Sequence, residues 1–372
     1  MSQESIIFLS SKDPNSTKAW SGIPYFMFLA LSKHYRIEYQ PSPQFRKLRL
    51  LAYYLDKVMR KIGAKKYLFD YGILLSVLTG IANSISLRKY QGIKFIFCPA
   101  GLAEIAFLKT KIPIVTCGDS SMLQLIDYYP ILRNVSIISK WEIEFIERRA
   151  LRKSSVNLFS SDWASNFITN RFNLNNVRTI SFGANILNQQ DVIPTKEISK
   201  NKCSLIFVGV DWERKGGDLA IRIQQDIQQK GVVCKLIIIG SSPSRKLTSQ
   251  NIEIIETLDK IAQKELYRSK FEESDFMILP TQADCTPIVI AESFAFGVPV
   301  VASNTGGISC MINRGINGFL IDRQEPELFA KVILETINNN GEYMKLSKAC
   351  IESFKTRFTW DAWAAEVKTT MA

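Results

Sequence analysis

Asp284 and Glu292 stand eight positions apart, in a segment, 278–307, that reads as strand, loop, helix, strand and glycine turn. Thr286 is expected to cap the helix and Pro287 to occupy its first turn. A helix start of this kind offers backbone donors and partial positive charge to an anionic ligand. Glu292 shares a helical face with Ile288, Ala295 and Phe296. A carboxylate on an apolar face needs a hydrogen-bonding partner, because burying it unpaired is costly. A pair of sugar or ribose hydroxyls is one such partner. Upstream, Arg214 and Lys215 precede Gly216 and Gly217, just beyond an apolar strand that ends at Gly209. Glycines let backbone approach a ligand closely. Two adjacent cations can offset the charge of a diphosphate. If charge develops on a leaving diphosphate, preorganised cations lower that barrier.

The 278–307 segment resembles the donor site of retaining glycosyltransferases of the GT-B class, the group 1 or family four enzymes. Their pattern is two acids spaced by seven residues, a helix of small residues, a G-x-P-V-V strand and a Gly-Gly turn. Glu292, Gly297, Pro299, Val300, Val301, Gly306 and Gly307 match it, and Asp284 stands where a glutamate is usual. Cys285, Thr286 and Pro287 replace the usual G-F-G. The resemblance implies that Asp284 orients the sugar hydroxyls and that Glu292 holds the ribose, with Thr286, Pro287 and Ile288 alongside the donor. Lys215 matches the family's diphosphate-binding lysine. The family arginine often follows the glycine at position 209, where this chain has Val210, so Arg214 is expected to take that role. Ser21 and Gly22 resemble the family's N-terminal glycine loop, which approaches the donor phosphate and the acceptor. Backbone groups near Gly240 and Ile255 would hold the nucleobase. Gly183, Ala184 and Asn185 resemble the hinge turn. Asp119 is a candidate polar contact for the reacting sugar, its bland alternative being a cap for the following helix. The single histidine, His34, sits at an expected helix end and reads as structural.

Those residues need strand ends to carry them. Apolar strands are expected at 6–9, 94–98, 112–116, 156–159 and 177–181, then at 205–208, 235–239, 252–255, 276–279, 298–302 and 319–321. Their alternation with helical stretches implies parallel sheets covered on both faces. In such sheets ligands bind beyond the carboxyl ends of the strands. The chain of 372 residues suits two such sheets. Two such sheets, taken with the resemblance, imply an α/β GT-B fold, two Rossmann-like parallel-sheet domains facing an interdomain cleft. The resemblance makes the first domain, expected over 1–184, the acceptor-binding one, joined by a closing helix at 358–372. A polar linker with Pro194 follows over 185–202, and the nucleotide-sugar-binding domain spans 203–357.

Charge is unevenly placed. Residues 1–200 carry 27 Lys and Arg against 14 Asp and Glu, and the remainder is nearly balanced. The densest stretch, 44–68, interleaves Lys57, Arg60, Lys61 and other cations with Leu51, Leu55 and Val58 at helical spacing. A basic amphipathic helix can lie on an anionic lipid surface, its bland alternative being a solvated helix. No nucleic-acid module accompanies the charge, so no nucleic-acid partner is expected. The uncharged stretch 71–87 is short and rich in small polar residues, which favours a buried helix over a membrane span. Seven scattered cysteines without metal spacing suit a reducing cytoplasm. The start of the chain reads as a first strand, not a signal peptide. No D-x-D motif is present, which argues against the metal-dependent class and leaves cations and a helix dipole as the counter-charge.

These readings converge on a cytoplasmic, metal-independent retaining glycosyltransferase of hexosyltransferase type, peripheral on the inner face of the membrane. It needs no cofactor beyond its donor, a UDP- or GDP-sugar. The acceptor would be a glycan or lipid-linked molecule of cell-envelope polysaccharide or glycolipid synthesis. The alternatives are a catalytically silent nucleotide-sugar-binding paralogue or partner subunit, suggested by the shorter Asp284, and a GT-B epimerase or phosphorylase, disfavoured by the scarcity of histidine.

Overall fold

A computed structural model describes residues 3–61, 63–187, 197–243 and 249–371. The chain divides into two compact units, one of Met1–Ser181 with Ala364–Ala372, the other of Phe182–Trp363.

The first unit holds β1 (Ser5–Ser10), α1 (Ile23–Ser32), β2 (Arg36–Pro41), α2 (Arg46–Lys61), α3 (Ile73–Ser86), β3 (Ile93–Pro99), α4 (Leu102–Ile105), β4 (Ile114–Gly118), α5 (Met122–Leu125), α6 (Ile137–Lys153), β5 (Val156–Phe159), α7 (Asp162–Phe172) and β6 (Val177–Thr179). Its six strands form one sheet in the order β2-β1-β3-β4-β5-β6, parallel at every pairing. The central strands are buried on both faces because Ile6, Ile7, Phe8, Leu9, Phe95, Ile96 and Phe97 leave no polar side. Edge strand β2, of sequence RIEYQP, has no apolar run and pairs only with β1.

The second unit continues with β7 (Lys202–Val208), α8 (Trp212–Lys215), α9 (Gly217–Gln229), β8 (Val233–Ile239), β9 (Ile252–Ile255), α10 (Lys264–Glu272), β10 (Phe276–Leu279), α11 (Ile288–Ala295), β11 (Val300–Ser303), β12 (Gly318–Ile321), α12 (Pro326–Ile337), α13 (Asn340–Arg357) and α14 (Trp360–Thr370). From Ala364 onward α14 belongs to the first unit. The second sheet is ordered β12-β11-β10-β7-β8-β9 and is parallel throughout. Two cores cover its faces, one around Phe271, Phe294 and Phe354, the other around Phe207, Ile223 and Phe329.

The second unit begins at Phe182 and keeps residues 358–363, for local reasons. Ala184 N–H donates to the Phe358 carbonyl at 2.9 Å. Trp360 Nε1 donates to Asn185 Oδ1 at 2.9 Å, and Phe182 stacks on Trp360. Half of the expected linker, 188–196, lies outside the described residues.

The stretch 71–87 forms a helix as expected, but a one-sided one. Leu75, Ser76 and Thr79 are buried while Leu74, Ile81 and Ile85 face solvent. No helix among the described residues is long and apolar enough to cross a membrane.

Candidate active site

In the second unit the carboxyl ends of β7 and β10 meet. β7 runs into the loop 209–211, and Asp211 caps α8 by accepting from Arg214 N–H at 3.2 Å. That short helix ends on Gly216, left-handed at φ 82°, which also opens α9. A Cβ there would lie 2.1 Å from the Pro280 carbonyl oxygen, so only glycine allows this turn so close to the β10 end. Gln282 N–H and Thr281 Oγ1 both donate to the Arg214 carbonyl, at 2.8 and 2.9 Å. The two loops are thereby bolted together through backbone.

The side chains follow. Lys215 Nζ pairs with Asp284 Oδ2. Arg214 Nη1 donates to the Ala283 carbonyl at 2.8 Å and lies 3.6 Å from Asp284 Oδ2, while its Nε donates to Asp211 at 3.0 Å. Lys215 and Asp284 are both largely buried. Residues separated by 69 positions thus share one cluster of two cations and two carboxylates. Gly209 lies against it, since a Cβ there would come within 2.9 Å of Lys215 Cγ. Gly240 comes next across the sheet, and its N–H donates to the Ile255 carbonyl at 2.9 Å. The predicted residues Gly209, Gly240, Ile255, Arg214, Lys215 and Asp284 therefore line one end of the second sheet.

Two local expectations need correction. The cap position of α11 falls on Pro287, which supplies no side-chain bond, because the helix starts at Ile288, one turn position later than a Thr286 cap requires. Thr286 is buried ahead of it. Glu292 does find the partners its burial demands, but they are protein groups. Fully enclosed on α11, it accepts from Lys260 Nζ at 2.6 and 2.8 Å and from Tyr267 Oη at 2.5 Å. Burial, reinforced by the Glu292 carboxylate, pushes the Tyr267 phenol far above its usual range. Lys260 and Tyr267 carry no spacing signal in the sequence. They reach Glu292 from the β9–β10 connection, and only tertiary packing brings them there.

The first unit holds the other predicted residues. Trp20, Ser21 and Gly22 are three consecutive left-handed residues, φ 47°, 56° and 85°, at the entry to α1. Such backbone in non-glycine residues is strained and needs support from its surroundings. Trp20 finds part of it in Asp119, whose Oδ2 accepts from the indole Nε1 at 3.2 Å. Asp119 is not a helix cap, because Ser121 caps α5. A cavity of about 340 Å³ opens at these strand ends, lined among others by Lys12, Trp20, Glu104, Asp119, Met122 and Glu147. Lys12 Nζ lies 5.0 Å from the Trp20 ring. Burial pulls the Lys12 ammonium down, opposed by Asp119 and Glu104. Burial raises the Glu104 carboxyl, opposed by bonds from Ser11 and Ser42. Glu147 is pushed up to about 7 by burial, although the Met122 and Leu123 N–H groups oppose the shift. Glu104 and Glu147 sit on helices with no motif around them, so nothing in the sequence singles them out. His34 lies in the turn between α1 and β2, away from these lining residues.

The geometry can be set beside known proteins. Residues 188–355 match the glycosyl transferases group 1 family. An uncharacterised glycosyltransferase of Haemophilus influenzae is 27% identical over 183 residues, 48% of this chain and 50% of that protein. The chain spans about half the length of the curated relatives it matches. Among solved structures, sucrose-phosphate synthase from Thermosynechococcus elongatus superposes with a TM-score of 0.67 at 14% identity, covering 98% of each chain. HepE from Anabaena, solved with UDP and glucose, gives 0.63 at 14% identity over 99% of each. The fold is that of the GT-B class, two Rossmann-like α/β units. The stretch 188–355 that matches the group 1 glycosyl transferases falls within the second unit.

Proposed function

We propose that the chain is a retaining, metal-independent glycosyltransferase of hexosyltransferase type. It moves a sugar from a UDP- or GDP-sugar to a glycan or lipid-linked acceptor, in cell-envelope polysaccharide or glycolipid synthesis at the cytoplasmic face of the membrane. The observation that carries this reading is the Lys215–Asp284 pair with Arg214 beside it at the sheet end. In the proposed reaction the bond between the sugar anomeric carbon and the diphosphate oxygen breaks with oxocarbenium character. Lys215 and Arg214 take up the charge left on the diphosphate. An acceptor hydroxyl attacks from the face the diphosphate leaves, and a leaving phosphate oxygen receives its proton. Asp284 holds the Lys215 ammonium before the donor arrives and turns to the sugar hydroxyls afterwards. Lys260, the more exposed of the two partners, moves aside when the donor arrives, and Glu292, still held by Tyr267, then accepts from a ribose hydroxyl. The first unit, with Asp119 and the strained loop of Ser21 and Gly22, receives the acceptor. The UDP bound by HepE makes UDP-sugars the first donors to try.

The test is release of free nucleotide from a panel of UDP- and GDP-sugars, with and without candidate acceptors. Lys215→Ala is expected to lower turnover about a hundredfold or more, the usual effect of removing one preorganised charge-stabilising group. Equal release by wild type and variant on every donor would refute the reading.

One observation favours a second reading, a binding-only relative. Both acids of the pair, Asp284 and Glu292, already have cationic partners within the protein. Saturable binding of a nucleotide-sugar with no turnover on any acceptor would select it.

A further inference from the structure

The first unit exposes a second apolar element that its sequence does not announce. Along α2 no residue is buried, and Leu51, Leu55 and Val58 face solvent among the cations. The start of α6 does the same with larger side chains. Ile137 is 81% exposed, Ile138 61% and Trp141 62%, and Ile131 just ahead of them is 73% exposed. Trp141 is held in place by stacking on Phe145, ring centroids 5.8 Å apart and planes 16° apart.

The two elements are neighbours, because one short piece of chain is bonded to both. Tyr67 N–H donates to Asp56 of α2 at 2.9 Å, and Tyr67 Oη donates to Glu142 of α6 at 2.6 Å. Leu68 N–H donates to Ser139 Oγ at 2.9 Å. Lys66 and Ser136 are joined through backbone, and Lys66 Nζ donates to the Ile131 carbonyl at 3.1 Å. A polypeptide partner is disfavoured by composition, since protein interfaces deplete lysine at their centres, whereas here Lys57, Lys61, Lys65 and Lys66 run through the patch. An exposed tryptophan beside aliphatics and cations is the composition of a segment lying in a lipid headgroup boundary.

We infer that the knuckle of Ile131, Ile137, Ile138 and Trp141 inserts beside α2 into an anionic lipid surface, α2 supplying the charge and the knuckle the apolar anchor. The inference rests on the membrane location in the reading above and not on its chemistry. The basic helix alone gives attraction that salt screens. The knuckle adds apolar transfer, which salt does not weaken. The docked chain is thus expected to resist moderate salt.

The test uses the full chain and vesicles of equal parts phosphatidylglycerol and phosphatidylcholine. Ile137→Ser combined with Ile138→Ser, both at exposed positions, is expected to lower partitioning about tenfold. Lys57→Glu, Arg60→Glu and Lys61→Glu together test α2 separately. Loss in both sets supports the inference. Loss with the α2 set alone overturns the knuckle and leaves the basic helix standing. Loss with neither overturns both, without touching the glycosyl-transfer reading. As an independent readout, acyl-brominated lipid should quench wild-type tryptophan fluorescence more than that of Trp141→Phe, and equal quenching overturns the insertion. If the chain is dimeric without lipid and Ile137→Ser makes it monomeric, the patch is a protein contact and the inference falls.

Discussion

The two units share an architecture and differ in how they treat charge and apolar surface. The second unit keeps the charges of its candidate site in pairs. Lys215 meets Asp284, Lys260 meets Glu292, and both carboxylates are nearly sealed from water. The first unit leaves cations and large aliphatics on its surface and buries Glu147 against the Met122 and Leu123 N–H groups and the Ser121 hydroxyl instead of a paired cation. A parallel sheet fixes where strand ends lie but not what is placed on them. The paired arrangement suits a small anionic ligand that must displace one set of counter-ions for another. The exposed arrangement suits a broad anionic surface.

The sharpest break between them should come at two glycines with the same backbone. Gly216 has φ 82° with the Pro280 carbonyl in the way, and Gly63 has φ 86° with nothing within 4 Å. Gly63→Ala should cost about 1 kcal/mol, the left-handed penalty alone. Gly216→Ala should cost about 4 kcal/mol or fail to fold, because the loops joined through Arg214 must separate. Urea denaturation of both variants measures the gap. Comparable losses would show that the β7 and β10 ends are not tightly bolted.

Next in size is a pH effect confined to the first unit. Glu147 has a folded pKa near 7 against an ordinary value of 4.5. A carboxyl raised by folding contributes stability that is fully present below its unfolded pKa and is lost as pH rises through the folded value. Between pH 4.5 and 7 the wild type should therefore lose up to about 3 kcal/mol from this group. Glu147→Gln cannot ionise, so its stability relative to wild type should improve across that window. A difference between the two proteins that stays constant with pH would show that Glu147 is ionised in the folded chain.

Much of this was open to reading from the residues alone, and the reason is physical. β5, β9 and β10 are short apolar runs between turn residues, and their ends coincide with the observed ones. β2 escaped because an edge strand with one neighbour needs no apolar run. Arg214 and Lys215 stand out because two cations beside paired glycines at a strand end are locally conspicuous. Their meeting with Asp284 is not local, and only the resemblance to a known family joins positions so far apart. Lys260, Tyr267, Glu104 and Glu147 lie on ordinary-looking stretches, and their importance comes from burial, which no spacing encodes. The knuckle at the start of α6 is the reverse case. Its isoleucines and tryptophan are of types usually buried, yet they lie on the surface.

The finest comparison sets one hydrogen bond against its counterpart. Tyr267 donates to Glu292 at 2.5 Å in the second unit, and Tyr67 donates to Glu142 at 2.6 Å in the first. Chemically the bonds are alike, and in both burial, together with the neighbouring carboxylate, pushes the phenol far above its usual range. Their surroundings differ. Glu292 is wholly enclosed, so Tyr267→Phe leaves a carboxylate oxygen with Lys260 alone and no water to replace the lost donor. Glu142 is half-buried and keeps the Ile73 N–H, and water can reach the place a phenol vacates. The loss should be about 2 kcal/mol for Tyr267→Phe and below about 1 kcal/mol for Tyr67→Phe, following the cost of leaving a buried charged acceptor short of a donor. Urea midpoints at unchanged slope would measure both. Equal losses would mean that water reaches Glu292 after all, and that the second unit's charges are less sealed than their pairing implies.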